Sequence, residues 1–173
     1  MAKVKLQSQM KNFLLLLACA FFVSCDKTVV LPGGAVANQP GGTENQNRLA
    51  AAVRAFGEPS ASGKRSSFIC ALSEQHLSYM ISAGGISHDN FNSRSKQIQN
   101  IGGNNTSEIV ASNCGNRTAT AAAAQCVKQW NESPPHKESM DKYWNYYCYS
   151  MRQSSNNCFY CIGLFSNGKL TRD

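Results

Sequence analysis

Apolar residues recur at helical spacing in three segments of the chain, each followed by residues that stop helices. Gly84-Gly85 follow the second segment and Pro134-Pro135 follow the third, which is also rich in alanine, the strongest helix former. Spacings of three and four residues place the apolar side chains of each segment on one face. The pattern predicts three helices, ENQNRLAAAVRAFG (44–57), SSFICALSEQHLSYMISAGG (66–85) and TATAAAAQCVKQWNE (118–132).

The C-terminal part of the chain has a different pattern. Two aromatic runs, YWNYYCYSM and CFYCIGLFS, flank the polar stretch RQSSNN. Runs of this composition favour β-strands, and the polar stretch between them predicts an antiparallel hairpin that turns near Ser154-Ser155. Helices followed by a closing hairpin indicate an α+β fold. Residues 107–111, SEIVA, are predicted to lie in a loop between the second and third helices.

The N-terminus is typical of an export signal. The stretch MKNFLLLLACAFFVSC has a basic Lys11 and an apolar run from Phe13 to Val23. That run is too short to span a bilayer, which takes about 20 residues. FVSC resembles the bacterial lipobox, in which the cysteine is lipidated and becomes the mature N-terminus, here Cys25. An ordinary cleaved signal peptide with Cys25 unmodified is the alternative, and LLAC, ending at Cys19, is a weaker second box.

These features divide the chain into four parts. Residues 1–24 form the predicted signal, 25–43 a Gly- and Pro-rich flexible linker, 44–167 the domain and 168–173 a polar tail. The protein is expected to be exported, either as a membrane-anchored lipoprotein facing the periplasm or cell surface, or as an extracellular protein. No transmembrane segment is predicted after the signal.

Six cysteines follow Cys25: Cys70, Cys114, Cys126, Cys148, Cys158 and Cys161. An even number in an exported domain predicts up to three disulfides, whose connectivity the sequence leaves open. A turn near Ser154-Ser155 would place Cys148 roughly opposite Cys161. Cys158 and Cys161 have CxxC spacing, but they lie in a predicted strand without a βαβ unit, so a structural role is favoured over a redox one.

The amount and distribution of charge give no indication of nucleic-acid binding. The full chain has a formal net charge of +7. Three basic residues and no acidic ones lie in the predicted signal, so the rest has 14 basic and 10 acidic residues and a charge of +4. The basic residues are scattered, which gives no nucleic-acid footprint.

Five features occur in a fixed order along the domain. They are the helix with ALSEQHLSYM, the stretch ISHDNFNSR, the segment SEIVA, the helix ending VKQWNESPPH, and the aromatic hairpin. This order resembles the CAP superfamily (cysteine-rich secretory proteins, antigen five and plant pathogenesis-related proteins), and most of all its short bacterial branch. The resemblance covers about residues 44–165.

The resemblance implies an α-β-α sandwich with a central, mostly antiparallel sheet and a surface cleft. By position in the motifs, the cleft residues are His88, Glu108 and His136. Ser107 and Ile109 depart from the family's pattern around the acid. Ser133 stands where a second acid is expected.

Three kinds of chemistry remain open for this set. Two imidazoles and a carboxylate can hold a divalent metal such as zinc, act as a general acid and base, or lock loops onto the sheet through hydrogen bonds. The third histidine, His76, lies in mid-helix and is predicted to be a partly buried packing residue.

The leading hypothesis is therefore a secreted or lipid-anchored CAP domain. It would bind a small apolar ligand, such as a sterol or lipid, or an envelope or extracellular partner, without catalysis and with no required cofactor. A metal-dependent hydrolase or peptidase is the first alternative, although the chain has no HExxH motif and no obvious positioned nucleophile. A disulfide-stapled structural surface module is the second.

Overall fold

The computed structural model describes residues 42–55, 63–116 and 118–172. The predicted signal, Cys25 and most of the predicted linker lie outside the described residues. The elements in chain order are α1 (Gly42–Ala55), β1 (Lys64–Arg65), α2 (Ser67–Ala83), α3 (Phe91–Gln99), β2 (Gly103–Asn113), α4 (Ala119–Glu132), α5 (Pro134–Asp141), β3 (Tyr146–Gln153) and β4 (Phe159–Gly168).

Local sequence accounts for the ends of the main helices. Ser66 caps α2 by accepting a hydrogen bond from the backbone N–H of Ile69, and Gly84 ends α2 in the left-handed conformation, at φ 73°. Thr118 caps α4 in the same way as Ser66 caps α2. Ser133 ends α4 and begins α5, whose first positions are prolines. Pro134-Pro135 therefore begin a further helix as well as ending α4, because a helix's first turn tolerates proline.

The sheet has four strands in the order β1-β3-β4-β2. The short β1 is parallel to β3, whereas β3–β4 and β4–β2 are antiparallel. The β3–β4 pair is the predicted hairpin. Its register pairs Cys148 with Leu164 and Met151 with Cys161.

Helices cover both faces of this sheet. One face packs against α1, α4 and α5 around Trp130, Tyr149 and Phe165. The opposite face packs against α2 and α3 around Leu72, Ile98 and other buried apolar residues. The described part of the chain is therefore an α-β-α sandwich with a central, mostly antiparallel sheet, which confirms the predicted fold class. Among the helices of the described part, none is both long and apolar enough to cross a membrane.

Several local predictions need correction. The segment predicted as a loop around Glu108 is the edge strand β2, and α3 and α5 were not predicted. The predicted proximity of Cys148 to Cys161 is wrong, because the hairpin turns over residues 154–158 and shifts the register. Cys148 instead pairs with Cys70, while Cys114 pairs with Cys158. The predicted polar tail is partly packed, since Leu170 is buried and Thr171 donates to the carbonyl of Ile101.

Candidate functional site

The carboxylate of Glu108 is the centre of the candidate site. Alternation along β2 turns Ser107 toward α5, where its hydroxyl is 2.8 Å from that of Ser139, and turns Glu108 toward α2 and α3. The Glu108 side chain is only 1% exposed. A buried carboxylate needs charged or hydrogen-bonding partners, because an isolated charge is costly to remove from water.

Arg94 of α3 supplies the main partner. Its Nε donates to Oε2 of Glu108 at 2.8 Å, and its Nη2 donates to Oε1 at 2.8 Å. This two-point geometry is the strongest form of arginine–carboxylate pairing. The third nitrogen, Nη1, donates to the backbone carbonyl of Asp89 at 2.8 Å. Arg94 was not predicted as a site residue, although it is the last residue of the ISHDNFNSR motif.

His88 lies beside the same carboxylate. Its Nδ1 is 3.0 Å from Oε1 of Glu108, and its side chain is half exposed. Because a carboxylate accepts, Nδ1 carries the hydrogen in this contact, and Nε2 is the nitrogen that Glu108 does not use. The structure thus brings together two of the three predicted cleft residues.

His76 of α2 also belongs to this site, beyond the packing role predicted from its helical position. Its Nε2 donates to the carbonyl of Ser87 at 2.7 Å and lies 3.8 Å from Oε1 of Glu108. The residue is 2% exposed. Burial lowers the pKa of His76 below its ordinary value, and the positive charge of Arg94 acts in the same direction. His76 is therefore a neutral hydrogen-bond donor at neutral pH.

His136 approaches from the other helical layer, on α5. Burial lowers the pKa of His136, and the positive charge of protonated His88 contributes in the same direction. The two imidazoles therefore interact electrostatically. Across residues 63–116 and 118–172, no hydrogen bond or ion pair joins His136 to Glu108. Ser133, at the position of the expected second acid, lies at the junction of α4 and α5.

The residues present do not fit a three-ligand metal site. Within the described part of the chain, no group of three His, Cys, Asp or Glu side chains is placed to hold a metal ion. Both oxygens of Glu108 are already engaged by Arg94 and His88. A zinc ion bound directly by Glu108 would have to displace those contacts.

The loop between α2 and α3, residues 84–90, is the part of the surface that this network controls. Three buried side chains hydrogen-bond to the loop. His76 and Arg94 donate to the backbone carbonyls of Ser87 and Asp89, and Glu108 accepts from the side chain of His88. The hydroxyl of Tyr79 adds a hydrogen bond of 2.6 Å to the Asp89 carboxylate. Ile86, at the outside of the loop, is 49% exposed. The network therefore ties a short surface segment to buried side chains at three successive residues.

A shallow polar cavity of about 620 Å³ adjoins this loop and the start of α3. It is lined by His88, Asp89, Asn90, Phe91, Asn92 and Ser93. A second cavity, of about 190 Å³, lies between α2 and α3 and includes His76 and Arg94 in its wall. Most of the lining residues are polar or charged, but polar and apolar atoms share the exposed walls about equally, so neither is a typical apolar ligand pocket.

Comparison with known proteins gives one informative likeness. No family model matches this chain, and no curated protein matches it. A solved structure, that of an outer surface protein from Borrelia burgdorferi, is similar with a TM-score of 0.55 and 18% identity. The likeness covers 73% of this chain and 92% of the Borrelia chain. At this identity it supports the α+β fold.

Proposed function

We propose that this protein is an exported, lipid-anchored CAP-type domain that binds an extracellular or envelope partner without catalysis. The observation that carries the proposal is the convergence of His76, Arg94 and Glu108 on the loop at residues 84–90. Buried side chains from three elements hydrogen-bond to one exposed loop and so restrict its conformational freedom. Such pre-organisation lowers the entropic cost of binding.

The state of the carboxylate disfavours the hydrolase alternative. A general base must be free to accept a proton from a reacting group. Both oxygens of Glu108 accept hydrogen bonds from Arg94 and His88, and the side chain is 1% exposed. Glu108 is better suited to orienting His88 and the loop than to activating a water molecule.

Features outside the site support the exported location. The FVSC stretch ending at Cys25 resembles a lipobox, and two disulfides are typical of oxidising compartments. The fold is similar to that of a protein named as an outer surface protein. We therefore propose display outside the cytoplasm, with the residues between Cys25 and α1 linking the anchor to the domain.

A site-specific cross-linking experiment tests the proposed binding surface. A photoreactive amino acid replaces Ile86 in the loop, in the full chain expressed in its own cells. The same amino acid at Tyr143, which is 59% exposed and outside the loop, is the matched control. We expect a discrete cross-linked species from position 86 that is absent at position 143 and is weakened by His88→Ala. The same products at both positions, or none at position 86, would refute the binding surface.

Zinc binding by His88 and His136 stays a prediction of the CAP resemblance, and the electrostatic influence of His88 on His136 is compatible with it. Glu108 would then orient the metal-binding imidazole of His88, because it accepts the hydrogen bond from Nδ1 and Nε2 is the nitrogen that could bind the metal. Titration calorimetry with zinc on the purified domain tests this. We expect one weak site, lost in both His88→Ala and His136→Ala. Unchanged affinity in either variant rules it out.

An apolar ligand stays a prediction of the CAP resemblance. The walls of the cavities beside the loop are polar and apolar in about equal parts, which gives no specific support for a sterol there. Native mass spectrometry of mildly purified protein would detect a co-purifying lipid. A saturable lipid adduct would favour this alternative over a protein partner.

A further inference from the structure

Cys126 of α4 and Cys161 of β4 face each other in the core. Their Sγ atoms are 2.6 Å apart, and both residues are 0% exposed. Non-bonded heavy atoms prefer a separation of about 3.5–4.0 Å, whereas sulfurs in a disulfide are about 2.0 Å apart. Two separate thiols do not fit at this distance without moving apart.

The two faces of β4 determine which cysteines can pair. Side chains three residues apart in a strand point to opposite faces, so Cys158 and Cys161 cannot bond to each other. Cys158 points to the α2 face and is bonded to Cys114. Cys161 points to the α4 face, among Trp130, Phe165 and their neighbours, and the cysteine that it meets there is Cys126.

We propose that Cys126 and Cys161 form a third disulfide in the exported protein. Together with the Cys70–Cys148 and Cys114–Cys158 bonds, this pairs all six cysteines that follow Cys25. The bond joins α4 to a central strand. Because Cys70–Cys148 joins α2 to β3 on the opposite face, each helical layer is then covalently tied to the sheet.

The bond forms by thiol–disulfide exchange with a disulfide-bearing oxidant, either an oxidoreductase or oxidised glutathione. The thiolate of one cysteine attacks the oxidant's disulfide, giving a mixed disulfide and one released thiolate. The second cysteine's thiolate then displaces the remaining half of the oxidant. Two cysteine protons are released and the oxidant's disulfide, having accepted two electrons, becomes two thiols.

Burial fixes when this exchange occurs. Burial raises the pKa of the Cys161 thiol well above its ordinary value, so the reactive thiolate is scarce once α4 is docked. Exchange therefore precedes docking of α4 on the sheet. In the finished protein the bond is shielded from reductants, whereas the Cys114–Cys158 bond has an exposed member in Cys114.

Disulfide mapping of the full chain, exported to an oxidising compartment, tests the pairing. The protein is unfolded without reductant in the presence of an alkylating reagent. It is then cleaved after Phe159 or Tyr160, which separates Cys158 from Cys161. We expect a cross-linked peptide containing Cys126 and Cys161, with neither cysteine alkylated. Alkylation of both, in protein refolded with reduced and oxidised glutathione as well as in exported protein, overturns the proposal.

A single-cysteine variant separates this pairing from scrambling. In Cys161→Ala, Cys126 should become fully alkylated while the other two bonds remain. If Cys126 is instead found bonded to another cysteine in wild-type protein, the assignment is wrong.

Graded reduction of the folded wild-type chain checks the role of burial. We expect Cys114 and Cys158 to be alkylated at the lowest reductant concentration, and Cys126 and Cys161 only when the protein unfolds. Alkylation of Cys126 and Cys161 before Cys114 would contradict a buried bond.

Discussion

At the scale of single residues, Glu108 and Arg94 form a buried ion pair on which the stability of the fold depends. Their side chains are 1% and 8% exposed. Removing one member of such a pair leaves an uncompensated charge in the core, which typically costs about 3–5 kcal/mol. Replacing both members with apolar residues of similar volume is far less costly, because no charge is then left unpaired.

We expect Glu108→Gln to lower the free energy of unfolding by about 3–5 kcal/mol, since it leaves Arg94 charged and buried. Glu132→Gln is the matched control. Its side chain is 64% exposed in a pair with Lys128, so it should change stability by at most about 1 kcal/mol. Urea unfolding monitored by tryptophan fluorescence measures both variants.

The double variant Arg94→Met/Glu108→Leu distinguishes pairing from packing. It should be more stable than Glu108→Gln alone. If the double variant is the less stable of the two, the cost lies in lost packing or loop anchoring rather than in an unpaired charge.

At the scale of elements, Gly163 shows how tightly β4 is packed. A Cβ atom at this position would lie 2.9 Å from side-chain atoms of Ile109, Phe165 and Tyr149. All three side chains belong to the core on the α4 face, so none can move freely. Overpacking of this kind typically costs about 1–3 kcal/mol.

Gly163→Ala should therefore lower the thermal unfolding midpoint, by an amount equivalent to about 1–3 kcal/mol. Gly85→Ala is the control, because a Cβ there meets nothing within 4 Å and its φ is not in the left-handed region. That change should be within about 0.5 kcal/mol. Equal midpoints for the two variants would show that β4 relaxes to accept the methyl group.

The elements that the sequence predicted are those with a clear local signal. The helices α1, α2 and α4 have apolar residues at helical spacing, and β3 and β4 have dense aromatic runs. The strand β2 begins with GNNTS, which is typical of a turn. It becomes a strand because β4 pairs with residues 103–104 and 107–113, on both sides of a bulge. Tertiary pairing overrides the local preference there.

The same contrast applies to the candidate site. The motif order predicted that His88 and Glu108 share a cleft, and in the structure Nδ1 of His88 lies 3.0 Å from Oε1 of Glu108. The roles of Arg94 and His76 depend on how α3 and α2 pack over the sheet, which no local pattern encodes. His136 lies on α5, the helix that Ser107 contacts through Ser139, whereas Glu108 points to the opposite face of the sheet.

At the scale of the whole molecule, stability should fall as the solution becomes mildly acidic. Burial lowers the pKa values of both His76 and His136 in the folded state. In the unfolded chain each titrates near its ordinary value of about 6.5. The unfolded state therefore binds more protons as pH falls through that value, and the equilibrium shifts toward unfolding.

We expect the free energy of unfolding to decrease between pH 7.5 and pH 5, with a slope of at most about 1.4 kcal/mol per pH unit for each histidine. Carboxyl groups titrate near pH 4, so this window isolates the imidazoles. His76→Gln should reduce the slope of the free energy of unfolding against pH, even though it also lowers stability at pH 7.5. His136→Gln should remove the part of the slope that remains in His76→Gln. Urea unfolding across this pH range measures each slope.

A wild-type stability that is constant or rises toward pH 5 would mean that both imidazoles are protonated in the folded protein. The buried network around Glu108 would then carry one more positive charge than its hydrogen bonds indicate.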